Sequence, residues 1–373
     1  MGLNPQNMTS TASRYTWRRR LGAAATALVV AAGVAIAQPA SADAATIAAC
    51  GNAAAPHGLD AAITAANAAD GPRTIVLLPC SYVITSPADP NDPNGPTGLP
   101  EITGHLTIVG VGAVITRSAS APDLRIMDVA AGASLTLKYL TVANGLFSAA
   151  HLGAGILVLG TLTLQHCALV HNVSAGGGGG IGMPFGGTAT IEDSLLADNA
   201  APGANDGGAI ASGGELTISG SRLIGNSAGG LGGAIENFGT LTITRSHVDG
   251  NTAWGAAGVY DQTSMIVRDT TLSGNKTTNS DGGAVYVEPG AHASMTGVTI
   301  RANSAASHGG GLYLGRGSTL ALTHSTVEDN SAASTGGGIY QGAAATATLL
   351  HANITDNTPD NCQPANGIPG CLN

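Results

Sequence analysis

Aromatic residues are scarce in this 373-residue chain: Phe, Trp and Tyr together make up 3%. No stretch of the repeating part carries a convincing helical pattern of apolar residues either, so a helical solenoid and an ordinary α/β domain are both excluded. Positive charge is thin, with 14 Lys and Arg against 23 Asp and Glu. A surface of net charge −9 repels nucleic acid and anionic lipid, so neither is an expected partner. The few cations also weigh against an enzyme of polyuronates, which needs Lys or Arg clustered over its acidic substrate. Long apolar runs are missing after residue 42, so no membrane span is expected in the mature chain.

What the first 42 residues hold is different in kind. Arg14, Arg18, Arg19 and Arg20 precede the apolar run "LGAAATALVVAAGVAIA", and Ala40, Ser41 and Ala42 follow it. That basic, apolar, small-residue order is a secretory signal, with cleavage expected after Ala42; a single-pass anchor is the competing reading. Removal takes four Arg and no acid, leaving 10 − 23 = −13. Five cysteines in a secreted chain point to pairing. Cys50 with Cys80 and Cys362 with Cys371 form staples at the two extremities, and Cys167 is left as a buried, inert thiol.

The strongest signal is a repeat. An aliphatic residue after glycines or other small residues recurs at Ile156, Ile181, Ile210, Ile235, Val259, Val285, Leu312 and Ile339, in steps of 24 to 29. An aliphatic-x-x-Asn element keeps the same rhythm at Asn172, Asn199, Asn226, Asn251, Asn275, Asn303, Asn330 and Asn357, with Asn144 ahead of them. Between these lies a strand-like alternation, as in "LTLQHC", "LTISGS" and "LTITRS". Three short strands per unit, stacked without helices, describe a parallel β-helix. Glycines turn the chain at one corner of each coil, and the asparagines stack as a buried polar ladder. Ser194, Ser221, Ser246, Thr270 and Ser325 stand five residues before their asparagines, and Cys167 takes that slot in its own coil. Ahead of the repeat, residues 57–70 place Leu59, Ala62, Ile63 and Ala66 on one helical face, a lid for the open end of the coil stack.

These "GGAI"-type and aliphatic-x-x-Asn motifs resemble the repeats of polymorphic outer membrane proteins. The segment "GLDAAITAAN...TIVLLP" is similar to the N-terminal cap of pectate-lyase-like right-handed β-helix proteins, and "DNTPDNCQPANGIPGCLN" resembles the tail of secreted actinobacterial members. The resemblance implies an all-β, single-stranded right-handed parallel β-helix of about ten coils with a short N-terminal helical cap. The expected organisation is a signal peptide at 1–42, a cap and first coil at 43–100, repeats at 101–361 and a disulfide-closed tail at 362–373. It also implies release to the outside or retention in the cell wall, because the chain stops at Asn373 without the barrel of the outer membrane group. Function is left open, since the fold hosts lyases, hydrolases and adhesins alike.

Chemistry-bearing residues fall at three places. Tyr260, Tyr286, Tyr313 and Tyr340 each follow the aliphatic landmark, so alternation sends them outward as an exposed strip in four consecutive coils. Such a strip either stabilises the sheet or binds a ligand that is apolar on one side and wet on the other, such as a neutral or cationic polysaccharide or another cell-envelope component. Asp281 and His308 share a slot in adjacent coils and form a candidate acid/base couple, with Glu236 a further carboxylate on the same face. His324 and His351 stack without a third ligand, so no metal and no cofactor are expected. Three readings follow: a non-catalytic envelope or adhesion protein binding polysaccharide along the tyrosines, a polysaccharide lyase or glycoside hydrolase around Asp281 and His308, and an inert spacer in the wall.

Overall fold

In the computed structural model, residues 45–55, 58–148, 150–365 and 367–373 are described; the expected signal segment lies outside them. The chain coils into a parallel β-solenoid of about twelve turns. Each regular turn contributes a five-residue and a three-residue strand to a 22-stranded sheet, a two-residue strand to an eight-stranded sheet, and a three-residue strand to a ten-stranded sheet. Strands of one coil pair in register with those of the next, as in Thr188–Glu192 against Glu215–Ser219. The count exceeds the expected ten because Thr46–Ala48 and Arg73–Leu77 already run as coil strands, paired with each other and onward to His105–Arg117. Those early coils lack the glycine–aliphatic landmark by which the repeat is counted.

Three left-handed backbone positions recur in every regular turn and close the coil. Gly282, Gly309 and Gly336, the first glycines of their phrases, have φ near +70° (71°, 66° and 67°). Glycine takes that conformation without strain, and the corner stays left-handed in the one coil where Ala256 fills the slot (φ 52°). The second glycine answers to space: a Cβ at Gly310 would stand 2.3 Å from the Ser331 carbonyl oxygen of the following coil. The other two left-handed corners take Asp, His or Gly in most coils, such as Asp193, His324, Asp198 and Gly250, and Arg245 or Ala302 in two.

Inside, the aliphatic landmarks stack at the centre of one continuous core, with Ile181, Ile210, Ile235, Val259, Val285, Leu312 and Ile339 all fully buried. The asparagines form a continuous buried ladder. Each side-chain N–H donates to the amide oxygen of the next, from Asn172 through Asn199 (3.0 Å), Asn226 (3.1 Å) and Asn251 (3.0 Å) to Asn357. The same oxygen accepts the backbone N–H of the preceding asparagine, and the second amide hydrogen reaches a carbonyl such as Leu196 (3.0 Å). Asn144 is not part of this ladder. It sits one position early, at a left-handed corner (φ 63°), and Gly145 fills the slot, donating its N–H to Asn172.

The hydroxyl ladder behaves likewise, each oxygen capping a backbone N–H one coil earlier, beginning with Cys167 N–H to Ser194 Oγ at 3.0 Å. Cys167 is buried, and burial pushes its thiol up. The helix Leu59–Asn67 turns Leu59, Ala62 and Ile63 into the first coils as expected. Both terminal disulfides form, Cys50–Cys80 and Cys362–Cys371. The loop at 85–98 is tied down by buried Arg125, which donates to the Asn94 and Gly153 carbonyls, lies over the Phe147 ring and faces Asp128.

Candidate functional site

The outer side of the ten-stranded sheet gathers most of the chain's chemistry. Its central outward column runs Ala211, Glu236, Tyr260, Tyr286, Tyr313, Tyr340 in strict register. Tyr286, Tyr313 and Tyr340 are half-buried, and their rings stack on one another at 4.4 and 5.0 Å, tilted by 25° and 6°. Tyr260 departs from the expected exposure. It is 6% exposed and tilted 58° to Tyr286, and Glu288 of the next coil is among the neighbours that raise its phenol. Alternation fixes the direction of a side chain, whereas burial depends on neighbours such as Glu288 that close over it.

Burial, then adjacent phenols and carboxylates, raise the Tyr260 and Tyr286 phenols far above their ordinary range and push the Tyr313 phenol up. They stay protonated at every physiological pH. Because the ring faces are occupied by each other, the column presents ring edges and a row of hydroxyls to solvent. That row repeats at about 4.8 Å, the spacing between adjacent strands.

Asp281 and His308 do come together. Asp281 Oδ1 accepts the His308 backbone N–H at 2.8 Å and lies 3.0 Å from Nδ1, while Ser307 Oγ is 2.7 Å from the same nitrogen. The His308 ring packs on Tyr340 at 4.7 Å, so the couple is attached to the tyrosine column. Glu236 does not join it. Two coils away, it is 5% exposed, and burial first, then the charge and hydrogen bonding of Asp206, raise its carboxyl to about 8. Asp206 in turn accepts the Leu231 backbone N–H. Directly beneath, the core-facing column swaps aliphatic residues for Ser212, Asn237 and Asp261, with Asn237 donating to Asp261 at 2.7 Å. Burial raises Asp261 to about 6.

Three residues missed by sequence reasoning flank this face. Phe185 is 81% exposed and lies against Gly213, Phe238 is 38% exposed, and Trp254 is 45% exposed beside the slot of Asp281 and His308 one coil earlier. Each occurs once, outside the repeated slots, so periodicity could not find them; their rarity in a chain with 3% aromatics was the available signal. A cavity of about 200 Å³ lined by His151, Leu157, Leu159 and Pro184 closes the N-terminal end of the same face. His324 and His351 stack at 4.9 Å on another corner, and no cluster able to hold a metal occurs among the described residues.

Comparison with known proteins agrees with the coil geometry. The model of the right-handed β-helix region matches residues 129–294 and 251–368. The chain belongs to the right-handed β-helix family. A solved pectate lyase, Pel9A, superposes with a TM-score of 0.44 and 16% identity over 85% of this chain and 81% of its own. At that level the likeness carries no information on the site. No curated protein matches the sequence. Among the described residues, no helix of this β-helix protein is long and apolar enough to cross a membrane.

Proposed function

We propose that this is a secreted β-helix protein that binds polysaccharide along the outer tyrosine face without cleaving it. The observation that carries the reading is the concentration of aromatics there: four tyrosines in consecutive coils, flanked by exposed Phe185, Phe238 and Trp254. Half-buried tyrosine hydroxyls beside exposed aromatic rings suit a surface that must meet sugar rings and hydroxyl groups together. Two disulfides accord with an oxidising, extracellular setting. Against hydrolysis stands the burial of Glu236, which at 5% exposure keeps the one carboxyl of the tyrosine column away from a glycosidic bond. A glycan array of the mature protein tests the reading. Binding that survives Tyr286→Ala with Tyr313→Ala unchanged removes the tyrosine face from consideration.

A catalytic reading keeps one specific support, the Asp281–His308 couple. Asp281 holds His308 Nδ1 and leaves Nε2 without a hydrogen bond among the described residues, the arrangement of an oriented general base. Incubation with neutral, acidic and amino polysaccharides, scored for reducing ends and unsaturated products, separates hydrolase, lyase and binder. Turnover that disappears in His308→Gln would replace the binding proposal with an enzymatic one.

A further inference from the structure

Charge on the tyrosine face is one-sided. Asp206 and Asp281 stand in the slot four residues before the aliphatic landmark, Glu236 in the tyrosine column, and Glu288 in the outward slot two residues beyond it. From Asp206 to Gly342 none of these three columns holds a lysine or arginine. The cations of the same coils sit elsewhere: Arg222, Arg268 and Arg301 on the 22-stranded sheet, Arg245 in the turn after that sheet's strand Thr240–Thr244, and Lys276 on the eight-stranded one. Only Arg316, in the turn after Leu314, approaches the edge. None of the four acidic residues pairs with a lysine or arginine among the described residues; Asp281 has His308. An uncompensated negative field therefore runs along an aromatic, hydroxyl-bearing strip.

Resting on the binding function proposed above, we infer that the polysaccharide is a polycation, a linear chain of amino sugars whose free ammonium groups meet Asp206, Asp281 and Glu288 beside the tyrosine column. Charge complementarity selects the ammonium, and the protonated tyrosine hydroxyls hydrogen-bond the sugar hydroxyls beside it. Glu236, neutral at pH 7, serves there as a hydrogen-bonding group and adds no charge. A basic peptide is the less suited polycation. Peptides captured by β-proteins add to a free strand edge, whereas the inner strands of this sheet are paired on both sides and the face offers rings and hydroxyls.

The test uses the mature chain and oligomers of equal length: glucosamine with free amines, the same oligomer N-acetylated, a glucose oligomer, and polylysine. The free-amine oligomer is expected to bind about tenfold more tightly than its acetylated form, the worth of two or three screened ion pairs. High salt should erase that advantage. Asp281→Asn with Glu288→Gln should bring the free-amine oligomer down to the level of the acetylated one, while Glu215→Gln, on the opposite sheet, keeps the preference. Circular dichroism of each variant checks that the coils are intact. Equal binding of all three sugars overturns the polycation inference and leaves the binding face standing. No binding of any sugar overturns the underlying function. Polylysine binding as tightly, and indifferent to Tyr286→Ala, overturns the inference in favour of unspecific charge attraction.

Discussion

Glu236 offers a sharp quantitative test of the electrostatics of the tyrosine face. Its carboxyl is raised from an ordinary 4.5 to about 8 by burial and by Asp206. Below about pH 4.5 it is protonated folded and unfolded alike, and its full stabilising contribution is present. As pH rises from 4.5 the unfolded chain releases this proton while the folded chain keeps it, so stability falls with pH until the folded value is passed. The shift is 8 − 4.5 = 3.5, and at about 1.4 kcal/mol per unit the loss reaches about 5 kcal/mol. With 5% exposure, solvent screening reduces this ceiling little. In a chain of this size each kcal/mol moves the melting temperature by about 2 °C, so the wild type should lose up to about 10 °C from this group between acid and alkaline pH.

Glu236→Gln has no proton to lose and keeps the size and polarity of the side chain. Thermal melts of both proteins should nearly coincide at about pH 5 and diverge above neutrality, the variant being more stable at about pH 9 by several kcal/mol. Subtracting the two curves cancels every other titrating group they share. Asp206→Asn separates the causes: burial remains, the neighbouring charge goes, and the slope should shrink without vanishing. Wild-type and Glu236→Gln melts that stay parallel across the whole range would refute the reasoning.

Asn226→Ala removes four side-chain hydrogen bonds and leaves the Asn199 N–H and Leu196 carbonyl without partners in the core. Roughly 4 kcal/mol should be lost, seen as faster hydrogen exchange at the Asn199 amide; unchanged exchange there would mean that the ladder carries no stability. Gly310→Ala should severely reduce soluble yield because its Cβ meets two backbone oxygens at 2.3 and 2.5 Å. Gly317→Ala, at φ +70° in open space, should cost only about 1 kcal/mol, and equal melting of the two variants would discount the close approach. Cys167 should resist alkylation in the native protein and react fully once unfolded, and Cys167→Ser should melt near the wild type, since serine fills the same slot in three of the next coils. Rapid native labelling would show that the thiol is open to solvent.

What the sequence made legible is what the coil repeats. The aliphatic landmarks, the buried asparagines and the glycine corner each recur often enough for period and alternation to assign them, and Asp281 with His308 was found because both occupy one slot in adjacent coils. Asp206 and Glu236 escaped by the same logic. They lie 30 residues apart in different slots, one before the landmark and one after it, so comparing like slot with like slot never sets them side by side. Asn144 shows the opposite error: similar rhythm placed it in the ladder, but a one-residue offset moves it from the core to a left-handed corner.

The same geometry revises what the tyrosine strip can offer a ligand. Stacking in register at about 4.8 Å makes each ring the neighbour of the next, so the faces of Tyr313 are covered by Tyr286 and Tyr340 and cannot receive a sugar flat upon them. A bound chain would meet edges and hydroxyls along the tyrosines and would find a free aromatic face only where an aromatic side chain stands alone, as at Phe185. A sugar polymer spanning both regions would hydrogen-bond at one end of the face and stack at the other. Losing Phe185 should therefore weaken long oligomers and spare those short enough to sit on the tyrosines alone, a length dependence that a uniform stacking platform would not produce.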